Sequence, residues 1–323
     1  MLLQGWPYDI HSYADVAPSL ASAGYRVIVP YVRGCGTTRF LSSSTVRNGQ
    51  PAASAVDTIA LMDALKIGKA IVAGFDWGGR TACIMGALWP ERCKALVSVS
   101  GYLLADREAN KMPLPPKAEY QWWYQYYFAT ERGALGYDKY RHDFGKLIWQ
   151  IASPSWKFDD ATFDRTAASF DNPDYAAILI HNYRYRLGLA DGEPQYDTFE
   201  NRLAENPVIT VPTITLEGDA NGAPHAEASA YAKKFSGRYA HRIITAASVT
   251  ICRRKLRRPS LRPSSTSTGF DPRVRECPIA AICHCRVVRR FLGRVAEDAS
   301  RRERRVPPGF AHRRRARRGS ASS

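Results

Sequence analysis

The stretch Lys69-Ala-Ile-Val-Ala-Gly-Phe-Asp-Trp-Gly-Gly-Arg-Thr-Ala82 leaves the chain few options. Its apolar run from Ala70 to Ala73 reads as a short buried strand. Gly74-Phe75-Asp76-Trp77-Gly78 reads as a sharp turn, and a helix follows over roughly Gly79 to Trp89. Strand, tight glycine-flanked turn and helix form the layout of a nucleophile elbow, which usually presents a serine; here the central residue is Asp76. Gly74, Gly78 and Gly79 let the backbone turn tightly and the helix close on the strand. Asp76 is expected at the carboxyl end of a parallel strand, beside a helix N-terminus whose free N–H groups favour negative charge. A carboxylate so placed can attack carbon and form an ester. A simple helix cap is the competing reading of Asp76.

The elements around this stretch alternate. Met1-Leu2-Leu3 resembles the end of a strand. Tyr13 to Ala23 has helical spacing, Tyr25 to Pro30 reads as a buried strand, Ala52 to Leu65 as a helix and Ala95 to Ser100 as a strand. That order predicts a mostly parallel sheet with helices on both faces. From about residue 101 the pattern becomes helical and rich in aromatics, the clearest helices being Gln121 to Phe128, Phe144 to Ile151 and Tyr175 to Leu187. Strand signals return at Val208 to Leu216 and Ala240 to Ile244, with a helix at Tyr231 to Phe235 between them. The expected organisation is an α/β core over 1–100 and 201–245, a helical lid over 101–200 and a disordered basic tail over 246–323.

Charge separates the tail from the rest. The net charge of +16 arises from residues 241–323, which hold 22 Lys and Arg against 5 Asp and Glu; residues 1–240 hold 24 against 25. The core therefore predicts no nucleic-acid partner and no anionic membrane surface. The tail is rich in Arg, Ser and Pro without periodicity, a composition that does not bury enough apolar surface to offset chain entropy. Seven scattered cysteines fit reduced thiols better than a disulfide framework. Cys283-His284-Cys285 lacks the paired spacing of a zinc site, so no metal is expected. No signal segment or transmembrane run is legible, which predicts a soluble cytoplasmic protein.

Four motifs together carry a resemblance: Gly5-Trp6-Pro7, Arg33-Gly34-Cys35-Gly36, Gly74-Phe-Asp-Trp-Gly-Gly79 and Gly218-Asp219. Over residues 1–244 the chain resembles the α/β-hydrolases of the epoxide hydrolase and haloalkane dehalogenase group. The resemblance implies an α/β-hydrolase fold, a doubly wound mostly parallel sheet with a helical lid inserted after the strand at 95–100. It implies Asp76 as nucleophile, the backbone N–H groups of Trp6 and Trp77 as an oxyanion hole, and Asp219 as the acid that orients a histidine. It further implies that Tyr124 and Tyr183 of the lid donate to an epoxide oxygen, with Tyr126, Tyr127 and Tyr185 one helical step away. The substrate would be a small epoxide or related electrophile and the co-reactant water, with no cofactor. Haloalkane dehalogenation is the alternative; Trp77 suits a halide cradle, whereas Trp6 occupies a position that is often Asn in dehalogenases.

Three departures stand beside the resemblance. The strands expected before Gly5 are missing, which reads as an N-terminal truncation, and Gln4 stands where the family usually has His. No catalytic histidine is identified: the expected Gly-x-x-Gly-His context near residue 250 is replaced by Ala246-Ala-Ser-Val-Thr-Ile-Cys-Arg253, His225 falls at the start of a helix and His241 precedes the last strand. One choice of synonymous codons for Ala246 onward, read from one nucleotide earlier with a leading G, yields Gly-Gly-Val-Gly-His-Asn-Leu-Pro-Gln-Glu-Ala, which resembles the absent motif. The tail is therefore expected to be an out-of-frame translation beginning near Thr245, and the product a catalytically impaired remnant is the second alternative. A basic arm for nucleic acid is the competing reading of the tail.

Overall fold

The computed structural model describes residues 1–104, 107–219 and 226–244. Five parallel strands form one sheet in the order β1 (Leu2–Leu3), β2 (Ala70–Gly74), β3 (Cys93–Val99), β4 (Thr213–Gly218) and β5 (Tyr239–Ile244). Leu2 pairs with Ala73, Ala73 with Val97, Val97 with Ile214 and Ile214 with Ala240, so one row of side chains crosses the whole sheet.

Both faces of the sheet are buried. Successive residues point to opposite sides of a strand, and Leu2, Ala73, Val97 and Ile214 enter one apolar cluster while Leu3, Val72 and Leu96 enter a second. The helix α1 (Val16–Ala21) contributes Val16 and Leu20 to the first cluster; α2 (Pro51–Ala64) and α3 (Trp77–Leu88) line the second. Strands covered on both faces carry near-continuous apolar sequence, which is how β2 and β3 read.

The segment 25–30 is not a strand. It runs beside β1, and a single backbone bond, Leu2 N–H to Ile28 C=O at 2.9 Å, ties the two. β1 is two residues long and offers no ladder to extend. The segment still lies on the outer side of β1, so the chain returns past β1 to form β2. Crevices at such reversals, outside the carboxyl ends of the strands, are where open α/β sheets bind ligands.

Other boundaries move for local reasons. The expected helix 13–23 is split into a 3₁₀ turn, Ile10–Tyr13, and α1, because Pro18 has no N–H to bond Ala14 and fits only the first turn. Pro212 likewise delays β4 to Thr213, leaving Ile209 in an isolated bridge with Phe235. The segment 228–234 is a single α turn, α11 (Ala228–Tyr231), and a 3₁₀ turn. His241 sits inside β5, opposite Thr215, rather than before it.

Between β3 and β4 lie seven helices among the described residues: α4 (Pro116–Gln121), α5 (Trp123–Ala129), α6 (Glu131–Lys139), α7 (Arg141–Ala152), α8 (Asp160–Ala167), α9 (Tyr175–Arg186) and α10 (Asp197–Ala204). The chain breaks at Trp122, so the aromatic run 121–128 divides between α4 and α5. Among the described residues no helix is long and apolar enough to cross a membrane. The described cysteines Cys35, Cys83 and Cys93 are buried and free. The tail 246–323, with Cys283-His284-Cys285 and the register proposed for it, and His225 fall outside the described residues.

Candidate active site

Asp76 stands between the end of β2 and the start of α3 with φ 50° and ψ −121°, a backbone region that residues with a Cβ rarely enter. Close packing holds it there. Gly78 lies against the Leu3 carbonyl, and Gly5 lies directly against Asp76: a Cβ built on Gly5 would come 2.8 Å from both Asp76 Oδ1 and the Phe75 carbonyl. The glycines of the two motifs therefore allow one close approach between the 4–7 turn and the elbow.

That approach makes a hydrogen bond. The Trp6 N–H donates to Asp76 Oδ1 at 2.8 Å, and the Trp77 N–H favours the charge of the same carboxylate. Gln4 is fully buried behind this turn; its amide is oriented to donate to Pro30 C=O (2.9 Å) and accept from Val32 N–H (3.2 Å). A glutamine thus anchors the turn to the 30–32 segment, using one donor and one acceptor.

The helical segment covers the elbow with aromatic rings. Trp6 packs on Tyr124 and Tyr183, with ring centroids 5.3 and 5.8 Å away, and Tyr183 also meets Trp77 at 6.0 Å and Tyr124 at 5.8 Å. Phe128, Tyr137 and Phe144 form the layer behind. Three bonds pin this segment to the residues that follow Gly5: Trp6 Nε1 donates to the Tyr137 hydroxyl (3.1 Å), Trp149 Nε1 to the Pro7 carbonyl (2.8 Å) and the Thr166 hydroxyl to Asp9 (3.0 Å).

Two arginines complete the site. Arg80 is one helical turn beyond Asp76, its N–H bonded to the Asp76 carbonyl at 2.9 Å, and its Nε donates to Leu103 C=O at 3.3 Å. Arg186, the last residue of α9, lays its guanidinium over the Tyr183 ring at 5.6 Å. Both escape a sequence reading. Arg80 interrupts an otherwise apolar helix at the i+4 position from Asp76, a signal that was available; Arg186 is one of two arginines in the last turn of α9 and carries none.

Electrostatics at the site are dominated by burial. Burial raises the Asp76 carboxyl above its ordinary value, opposed first by Arg80, then by the Trp6 and Trp77 N–H groups and by Arg186. Arg80 is lowered to about 10 by burial and by Arg186. Tyr124 and Tyr183 are both raised, chiefly by burial, so their hydroxyls keep their protons at neutral pH. Glu200 on α10, near Arg80 and Arg107, is raised to about 7 by burial and accepts from the Ala52 N–H at 3.0 Å.

Asp219 follows β4 at the carboxyl edge of the sheet, and its N–H donates to Ile244 C=O at 3.2 Å. Asp76, Trp6, Trp77, Tyr124 and Tyr183 are thus gathered in one place, with Asp219 at the same edge of the sheet. The described histidines are engaged elsewhere. His11 bonds Asp9 (2.7 Å), His142 bonds Asp171 (2.8 Å), His181 accepts from the Gly49 N–H (3.1 Å), and His241 bonds Thr215 (3.0 Å).

Comparison with known proteins gives four findings. The family model described as the alpha/beta hydrolase fold matches residues 1–136. A crystal structure of a candidate epoxide hydrolase from Klebsiella pneumoniae subsp. pneumoniae is 63% identical, with a TM-score of 0.75, covering 76% of this chain and 82% of that one. Epoxide hydrolase B of Mycobacterium tuberculosis is 30% identical over 148 residues, which span 42% of this chain and 41% of that protein. A structure of a candidate epoxide hydrolase from Pseudomonas aeruginosa, 17% identical with a TM-score of 0.68 over 93% of this chain and 88% of that one, shares the fold.

Proposed function

This chain belongs to the α/β-hydrolase fold family, and from that membership we propose an enzyme of the epoxide hydrolase type that opens its substrate through an ester on Asp76. One observation carries the reading: a carboxylate in strained backbone geometry lies beside Trp6 and Trp77, on whose rings Tyr124 and Tyr183 pack from another part of the chain. A buried carboxylate with few hydrogen bonds is a better nucleophile than a hydrated one, and neutral phenols suit the second half of the step.

The step balances as follows. One Asp76 oxygen forms a bond to a ring carbon of the epoxide and the bond from that carbon to the ring oxygen breaks. The electron pair moves to the ring oxygen, which takes a proton from Tyr124 or Tyr183. The tyrosinate so formed lies beside Arg186, whose charge eases ionisation of both phenols, and it recovers its proton from water. In the second half-reaction water attacks the ester carbonyl, giving up a proton to the hydroxide left when the tyrosinate was reprotonated. The Trp6 and Trp77 N–H groups receive the negative charge on the carbonyl oxygen. The bond from the acyl carbon to the alkoxy oxygen then breaks. The alkoxide takes a proton from the added hydroxyl group and leaves as the diol, and Asp76 is restored as the carboxylate. Asp219 is the acid expected to orient a base. Residues 101–200 serve as the lid that excludes water.

Haloalkane dehalogenation is less well supported. A halide cradle needs free donors, and the Trp6 indole N–H is already bonded to Tyr137. The Trp77 indole N–H has no partner among the described residues and is one donor that such chemistry would need. No described histidine lies against Asp76 or Asp219, which favours, as a second reading, a chain that forms the ester but releases it slowly. Intact-mass measurement after incubation with a small terminal epoxide tests both. Steady diol release supports a complete enzyme, and a stable one-substrate adduct that maps to Asp76 supports slow release. No diol and no adduct would overturn the proposal.

A further inference from the structure

The charge around Asp76 does not balance. Two guanidiniums, Arg80 and Arg186, act on a single carboxylate and on Tyr124 and Tyr183. Arg80 is one helical turn from Asp76, and Arg186 lies over the Tyr183 ring, which meets Tyr124. Among the described residues neither arginine has an ion-pair partner. Arg80 spends one N–H on the Leu103 carbonyl, and the buried Arg186 Nε has no hydrogen-bond partner among the described residues. Arg186 contacts instead the face of Tyr183, the ring that also touches Trp6 and Trp77. Glu200 does not neutralise the pair: it is bonded to the Ala52 N–H, and burial favours its protonated form up to about pH 7.

Half-buried cations without an ion-pair partner are costly, and the cost grows during the proposed reaction. Before attack, Asp76 offsets one of the two charges. Once its oxygen has bonded carbon and the tyrosinate has been reprotonated, the ester is neutral and both guanidiniums face the site without a counter-charge. A neutral substrate leaves that deficit in place. A substrate that brings its own anion removes it, and guanidinium N–H groups match the spacing of two carboxylate oxygens.

We infer that this site accepts an epoxide bearing a carboxylate, held by Arg80 and Arg186 while its ring faces Asp76; the inference rests on the ester-forming reading above. The arginines then act as specificity residues. They orient the substrate by its anionic end and offset the charge lost when Asp76 is esterified.

The experiment compares 3,4-epoxybutanoate with 3,4-epoxybutanamide, which share a carbon skeleton and differ in charge. The rate of adduct formation on Asp76 of the full chain is followed by intact mass. The acid is expected to react at least about tenfold faster, the factor supplied by one charge-assisted hydrogen bond. Arg80→Gln and Arg186→Gln are each expected to bring the ratio of the two rates toward one. Equal rates in the unaltered protein, or a faster amide, overturn the inference and leave the nucleophile standing. Should neither compound form an adduct, the ester-forming reading fails, and calorimetry with unreactive butanoate and butanamide decides the anion site by itself. Binding of butanoate without butanamide supports it; no binding, or equal binding of the two, overturns it.

Discussion

The Trp6 backbone N–H donates to Asp76 Oδ1 across 2.8 Å although 70 residues separate them in the chain. The contact exists because the side of Gly5 that would carry a Cβ is filled by Asp76. The donor proposed to stabilise the ester's oxyanion thus holds the free carboxylate beforehand, and in that proposal positioning and charge stabilisation come from one group.

Gly5→Ala tests that relationship. A methyl group at this position meets Asp76 Oδ1 and the Phe75 carbonyl at 2.8 Å, and neither backbone can retreat without breaking the elbow. We expect a loss of about 1–3 kcal/mol in urea unfolding, together with loss of adduct formation on Asp76. Normal stability with normal alkylation would show that the turn and the elbow are not in contact.

Removing either phenol should slow ring opening without abolishing it. Tyr124→Phe and Tyr183→Phe are each expected to lower the single-turnover alkylation rate by about 10- to 100-fold, and the double substitution by more, because the remaining hydroxyl substitutes in part for the missing proton donor. Single-turnover mass measurements separate this step from ester hydrolysis. A double variant that alkylates at the unaltered rate would remove the tyrosines from the mechanism.

The pH dependence follows from the buried groups. In the proposed reaction Asp76 attacks as the anion, and burial raises its carboxyl, so alkylation should rise with pH through a value above the ordinary carboxylate one. The tyrosines, raised by burial, stay protonated on the alkaline side. Arg80, lowered to about 10, loses its charge there, and a carboxylate-bearing substrate should then lose its advantage over its amide. A rate that declines on the alkaline side below about pH 8 would contradict this assignment.

Glu200 supplies a stability test apart from the chemistry. Its folded-state value, about 7, lies above the ordinary 4.5, so folding favours the protonated form. The contribution is fully present below about pH 4.5 and is lost as pH rises through about 7, on the order of 3 kcal/mol in total. Glu200→Gln keeps an acceptor for the Ala52 N–H and removes the charge. Its melting temperature should therefore exceed that of the unaltered protein at pH 8 and match it near pH 4.5. Parallel melting curves across this range would refute the assignment.

The sequence by itself determined the strand–turn–helix around Asp76, the alternation that makes a parallel sheet and the helical character of 101–200. These rest on local signals: glycines where the backbone is crowded, apolar runs of strand length and 3.6-residue spacing. It misread 25–30 and 208–212 as strand, because ladder formation depends on a partner, and β1 is too short for the first while Pro212 withholds a donor from the second. It marked Tyr124 and Tyr183 by resemblance, yet their meeting 5.8 Å apart over Trp6 belongs to the packing of α5 on α9. The two guanidiniums were decided by tertiary structure alone. Arginine in a sequence is ordinarily a solvated surface residue, and only the fold, by holding Arg80 and Arg186 half-buried near one carboxylate without an ion-pair partner among the described residues, turns two common residues into an unbalanced charge.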